Sequence, residues 1–295
     1  MQILPSENTL VTFPSHSHKE TSVIQAIFDF ANHPDKKIII VERTPFHPVD
    51  HRWPDQPGDR GEMLVMEQKY EIINSIMVGW DPNNKATYFD SEIPVTRDND
   101  DWLFWVGHVV VCAQEASDML GKAATLIVDE NYQFSLSVAH SICHLTSLSL
   151  NKCTKDLWDK PVMQDSLGNP NFDALAIQKS LISPFASADS YRLGKSIRKK
   201  GLDVQQFFER LPMIEKAIND QLKIWLQSDL HPTVMPEICN INERRYWKVE
   251  LPDGAAQIPC GGTHLNNFKN IKGVKVKLME TTDQEFMLTC EVEIK

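Results

Sequence analysis

NYQFSLSVAHSICHLTSLSL, running from Asn131 to Leu150, reads as one helix that is apolar nearly all round. A helix without a polar face belongs in an interior. The segment also carries His140 and His144, which lie four residues apart and so one turn apart on one face. Both imidazoles can then reach a single metal ion. Taken alone, such a pair also describes ordinary core histidines.

Outward from this helix, the pattern changes near residue 114. Gln114–Ala124 looks helical, and Thr125–Val128 looks like a short strand. Further upstream, Met63–Glu67, Glu71–Val78, Ala86–Phe89 and Leu103–Cys112 are strand-like and separated by turn clusters, a spacing that suggests a small barrel or open sheet. Lys37–Val41 is a short strand. The loop Thr44–Gly61 holds four prolines and two glycines. In His18–Asn32, Val23, Ile24, Ile27, Phe28 and Phe30 recur near a 3.6 period, which predicts an amphipathic helix. Downstream, Thr154–Ser187 is mixed, and Tyr191–Lys200 is basic. Asp203–Ser228 predicts a long helix capped by Asp203 and kinked or split at Pro212. Tyr246–Leu251, Val274–Met279 and Glu285–Ile294 read as strands.

A second motif, Cys260-Gly261-Gly262-Thr263-His264, reads as a loop after Pro259. Its two glycines permit a tight turn that brings a thiolate and an imidazole around one point. Together the two motifs offer His140, His144, Cys260 and His264, a donor set that suits one Zn2+ per chain. Four protein donors normally make a closed structural site, and a catalytic zinc keeps one position open. The sequence leaves both roles open. Cys143 is a competing ligand or a buried thiol.

The 295 residues carry 42% hydrophobic and 24% charged residues. These values exclude a disordered or collagen-like chain. Six cysteines do not make a disulfide scaffold. No apolar run is long enough to cross a bilayer, and MQILPSENTL lacks a secretory pattern, so no membrane and a cytoplasmic location are expected. The net charge of −10 argues against a generic nucleic-acid binder. Residues 1–130 carry a net −11 and residues 131–295 a net +1. Arg192, Lys195, Arg198, Lys199 and Lys200 form a basic cluster in the second part, and Lys275 and Lys277 share a strand face. Both groups suit phosphate contacts or a solvated surface.

HSICHL and CGGTHL resemble the paired metal motifs of the alanyl-tRNA synthetase editing domain. They also resemble those of its free-standing alanyl-tRNA editing (AlaX-type) relatives and, more distantly, of the threonyl-tRNA synthetase editing domain. Asp129 fits the family's Asp ahead of the metal helix. Thr44-Pro45-Phe46-His47-Pro48 and Gln56-Pro57-Gly58-Asp59-Arg60-Gly61 resemble its Thr-x-Phe-Tyr-Pro and Gly-Gly-Gln-x-x-Asp-x-Gly segment. Pro54 and Asp55 stand where that family often has two glycines, His47 replaces a common Tyr, and Val49–Trp53 is inserted. Tyr132-Gln133 stands where arginines are common.

The resemblance implies an α+β fold: a small β-barrel-like N-terminal domain, then an α/β two-layer editing domain with an antiparallel sheet and a zinc site. The expected division is residues 1–36 as an N-terminal extension with a helix, 37–120 as the barrel-like domain and 121–295 as the editing domain. It implies hydrolysis of the ester in mischarged tRNA(Ala), with serine or glycine as the acyl group. Gly261 and Gly262 are candidates for oxyanion contact through their N–H groups. Thr263 is a candidate for a serine hydroxyl or a simple turn hydrogen bond. Gln56, Asp59, Arg192 and Lys195 are candidates for substrate binding; for Gln56 and Asp59 the alternative is a loop held by an Asx-type turn. Two other readings stand beside this one: a zinc hydrolase of another small ester or amide, and a non-catalytic tRNA-binding module with a structural zinc.

Overall fold

A computed structural model describes residues 4–30, 33–112 and 116–295. The chain divides into two compact units. The first comprises residues 1–134, 234–245 and 260–263; the second comprises residues 135–233, 246–259 and 264–295.

Six strands of the first unit form a closed barrel: β1 (Lys19–Asp29), β2 (Lys36–Val41), β3 (Gly61–Val65), β4 (Gln68–Asp81), β5 (Leu103–Val111) and β6 (Ala123–Val128). Their order around the sheet is β3-β6-β1-β2-β5-β4, and β4 pairs back onto β3. Every one of these pairings is antiparallel. Ile24, Ile39, Val41, Met63, Val65, Ile72, Val110, Ala124, Leu126 and Val128 pack in one cluster to which all six strands contribute, so it fills the barrel. Ile38 and Ile40, on the other face of β2, pack with Val78 and Trp105. Burial of both faces explains why β2 reads as an unbroken run of Ile38, Ile39, Ile40 and Val41.

The expected helix at His18–Asn32 is instead strand β1, as far as Asp29; Ala31 and Asn32 lie outside the described residues. Ser22, Ile24 and Ala26 are buried at every second position. The apolar residues fit a period of 2 as well as one of 3.6, and pairing on both sides with β2 and β6 decides for the strand. The helix expected over Gln114–Ala124 is also absent from its described part. Ser117–Met119 is a single 3-10 turn and Ala123 already belongs to β6; Gln114 and Glu115 lie outside the described residues.

Short pairings give the barrel its neighbours within the unit. Leu10–Val11 runs parallel to Arg43–Thr44 and antiparallel to Cys239–Asn240, which is why residues 234–245 belong here. The loop between Thr44 and β3 lies against β4. An added Cβ on Gly58 would sit 2.0 Å from the Ser75 carbonyl oxygen, so only glycine allows this approach.

Helix α1 (Glu130–Cys153) begins in the first unit and runs through the second. Its burial is as the sequence predicts: Leu136, Val138, Ala139, Ile142, Leu145, Leu148 and Leu150 are all buried. Asp129 caps its start, accepting from the Tyr132 N–H at 3.1 Å.

The second unit contains an antiparallel sheet of β7 (Ile177–Ser183), β8 (Ala186–Arg192), β11 (Ile271–Thr282) and β12 (Glu285–Ile294), in the order β7-β8-β12-β11. A hairpin of β9 (Tyr246–Leu251) and β10 (Gly254–Pro259) leads to Cys260. Asp203 caps α2 (Val204–Glu209), and Pro212 lies in the first turn of α3 (Leu211–Leu226), so the predicted long helix is split at Arg210. Asn219 and Glu215 on α3 bond the backbone of edge strand β11 at Val276 and Leu278, satisfying groups that an open edge would leave bare. Among the described residues, no helix is long and apolar enough to cross a membrane.

Candidate metal centre

Three histidines of the second unit meet. His140 and His144 project from adjacent turns of α1, with ring centroids 4.8 Å apart. The His264 ring lies 4.4 Å from that of His140 and 4.8 Å from that of His144. Cys260 lies four residues before His264 on the same short loop. One ligand atom from each of His140, His144, Cys260 and His264 falls within 4.8 Å of the other three. A tetrahedral zinc holds such atoms about 3.3–3.8 Å apart, so modest contraction brings all four onto one ion.

Two observations fit a cation here. The Nε2 of His144 is buried and has no hydrogen-bond partner, which is costly unless something else takes its lone pair. The donor set itself, three imidazoles and one thiol, is zinc-like and matches no common arrangement for calcium or magnesium. The group could hold a metal ion. Its surroundings fix the ligands. Ser141 Oγ accepts from the Leu265 N–H at 2.9 Å and lies 3.3 Å from His264 Nδ1, holding that ring's orientation. The Trp247 ring lies tilted against that of His144, with centroids 5.1 Å apart. Cys143 faces the other way, donating toward Asp189 at 3.6 Å, so it stands outside the ligand group.

Behind His144, Asp173 accepts from the Tyr191 hydroxyl at 2.6 Å. Burial pushes the Asp173 carboxyl up, while the Tyr191 bond and the His144 charge oppose this. Burial, then the charges of Asp173 and Asp189, hold Tyr191 well above the ordinary phenol value.

Within the first unit, the turn before His264 is tightly used. The Gly262 N–H points at Cys260 Sγ, 3.4 Å away. Gln56 and Thr263 bond reciprocally: the Gln56 Nε2 donates to Thr263 Oγ1 at 2.7 Å, and the Thr263 N–H donates to Gln56 Oε1 at 3.1 Å. Both residues are buried. Of the three candidates in the turn, Gly261 alone keeps a backbone N–H with no hydrogen bond among the described residues. Gln56→Ala should cost about 1–3 kcal/mol, because it removes two buried hydrogen bonds at once. Urea unfolding measures this, and a loss below about 0.5 kcal/mol would show that the pair contributes little.

Asp59 is fully buried. Its Oδ2 accepts from the His47 N–H at 2.7 Å and from Gln133 Nε2 at 2.6 Å, while its Oδ1 has no partner. Burial raises its pKa to about 7 against the opposing pull of those two bonds. These two bonds tie the loop at His47 to α1 at Gln133. His108 supports the same loop. Its Nδ1 meets the Ile39 carbonyl at 2.9 Å and must carry the proton, so Nε2 accepts from Thr44 Oγ1 at 2.8 Å. Burial keeps this histidine neutral, with a pKa of about 4.

Arg192 and Lys195 are exposed on the second unit, and Arg192 pairs with Glu285 at 3.8 Å. Neither has a contact with the histidine group. Ser141, Gln133, Asp173, Arg97 and Arg245 escaped the sequence reading. Ser141 stood there only as a letter of HSICHL, and Gln133 only as a departure from arginines common in the resembled family.

No protein-family model matches this chain, and no curated protein matches it.

Proposed function

We propose that the protein is a metal-dependent hydrolase that deacylates mischarged tRNA(Ala) in the cytoplasm, with Ser-tRNA(Ala) as its main substrate and Gly-tRNA(Ala) as a second. The observation that carries this reading is the convergence of HSICH and CGGTH on one donor group. The resemblance of those motifs to aminoacyl-tRNA editing sites supplies the reaction. The exposed basic residues Arg192, Lys195, Arg198, Lys199 and Lys200 support a polyanionic partner.

Zinc, when bound, would hold the Cys260–His264 turn in shape and make the local field positive. His140, His144, Cys260 and His264 would hold it. The Gly261 N–H would receive the developing oxyanion; the Gly262 and Thr263 N–H groups are already engaged. Thr263 would sort the acyl group, with its hydroxyl fixed by Gln56. The ester is activated, so orientation of the carbonyl and a water is most of the task.

Four protein donors also favour a second reading, a tRNA-binding module whose zinc is structural. A single-turnover assay separates the two. Serine release from Ser-tRNA(Ala) should be at least about a hundredfold faster than alanine release from Ala-tRNA(Ala), and Cys260→Ala should abolish the difference. Binding of tRNA without release of either amino acid would establish the module instead.

A further inference from the structure

The turn at Gly261 faces two guanidinium groups, both in the first unit. A Cβ added to Gly261 would sit 2.7 Å and 2.8 Å from the two Nη atoms of Arg97, and 3.1 Å from Nη2 of Arg245. Two cations therefore converge on one point beside the Cys260-Gly261-Gly262 turn. Arg245 is 1% exposed. Its Nη2 donates to the Gly261 carbonyl at 3.1 Å and its Nη1 reaches Cys239 Sγ at 3.5 Å, while its buried Nε has no partner. No carboxylate pairs with it among the described residues. Arg97 is about a quarter exposed, and among the described residues it pairs with one carboxylate, Asp50, at 3.5 Å.

Like charges held together away from water repel and lose hydration. Burial, then the charge of Arg97, pull Arg245 below the ordinary guanidinium value. The Cys239 sulfur, 3.5 Å from Nη1, and then Cys260 oppose this pull. One carboxylate for two guanidiniums still leaves a positive excess beside a turn built from glycine. An arginine fork matches phosphate oxygens in a bidentate way.

We propose that Arg97 and Arg245 form an anion subsite at the Gly261 turn that holds a phosphate of the substrate. This rests on the reading of the protein as a tRNA deacylase: with the acyl ester at the turn, the phosphodiester of the same terminal nucleotide lies one ribose away. A phosphate carries its charge before, during and after reaction, so it compensates the pair throughout binding. A transient oxyanion would leave both guanidiniums uncompensated in the ground state. Gly261 is required because any side chain there would collide with the Arg97 guanidinium and displace it.

The test uses Arg97→Gln, on the partly exposed arm of the pair, with Arg97→Lys as a charge-retaining control. In single-turnover deacylation of Ser-tRNA(Ala), Arg97→Gln should raise the half-saturating tRNA concentration about tenfold. The limiting rate should stay within about twofold, and the slope of log affinity against log salt should fall by about 1. Zinc content should be unchanged, and Arg97→Lys should recover part of the affinity. An unaltered half-saturation and salt slope would overturn the subsite. A second arm does not need turnover: thermal stabilisation of the intact protein by inorganic phosphate, at ionic strength fixed with chloride, should be present in the parent and lost in Arg97→Gln. Equal stabilisation of both proteins by phosphate, or a rise with acetate alone, would overturn the phosphate assignment. If the parent releases no serine yet shows the Arg97-dependent phosphate effect, the deacylase reading fails and the anion site stands.

Discussion

His144→Ala and Cys260→Ala should each bring bound zinc from about one equivalent to below about a tenth of one, and lower the thermal midpoint by about 10 °C. The metal content follows from the ligand count. Removing one of four donors opens the shell and, in the His144 variant, removes the imidazole whose buried Nε2 has no other partner. The thermal effect follows from linkage. A ligand present at a thousand times its dissociation constant stabilises the folded state by about 4 kcal/mol. Each kcal/mol shifts the midpoint of a chain this large by about 2–4 °C. Chelation of the parent protein should reproduce both changes, and added zinc should reverse them. Zinc analysis by mass spectrometry and a thermal melt decide the matter; a parent and a His144→Ala variant with the same metal content and melt would remove the metal centre. The turn itself is held by the Gln56–Thr263 bonds, so loss of the ion should loosen it without unfolding the barrel.

The second large effect concerns Asp59 and pH. In the folded protein its pKa is about 7, raised from 3.8. Between those values the folded state holds a proton that the unfolded state has released. Stability from this group is therefore fully present below about pH 4 and is lost as pH rises through about 7. The shift corresponds to roughly 4 kcal/mol at most. Asp59→Asn should abolish this dependence. The amide oxygen can keep both bonds, from the His47 N–H and Gln133 Nε2, and the amide nitrogen takes the place of the unpartnered Oδ1. A buried amide costs far less than a buried carboxylate. The variant's margin over the parent should widen by about 2–3 kcal/mol between pH 5 and pH 8.5. Urea unfolding at the two pH values gives the answer, and other titrating groups cancel in the difference. A parent-to-variant gap that is the same at both pH values would show that Asp59 stays charged.

The sequence by itself was enough for the features set by local chemistry. Helix α1 was legible because its apolar and small residues leave no wet face, and the position of His140 and His144 follows from the helical repeat. The split at Pro212 and the Asp203 cap are equally local. So was the pairing of HSICH with CGGTH, since two glycines between a cysteine and a histidine are unusual for a plain turn. Strand β1 was not legible. Val23, Ile24, Ile27 and Phe28 fit the helical repeat while Ile24, Ala26 and Phe28 fit the strand repeat, and only the partners supplied by β2 and β6 choose between them. The roles of Gln56, Asp59 and Arg245 were also hidden. Gln56 meets Thr263 across 207 residues of chain, and Asp59 meets Gln133 across 74. Whether a glutamine clamps a turn, an aspartate holds its proton near neutral pH, or two arginines converge on one glycine depends on burial and on partners distant in sequence. Those are properties of the closed barrel and the packed loop, which local residue patterns do not encode.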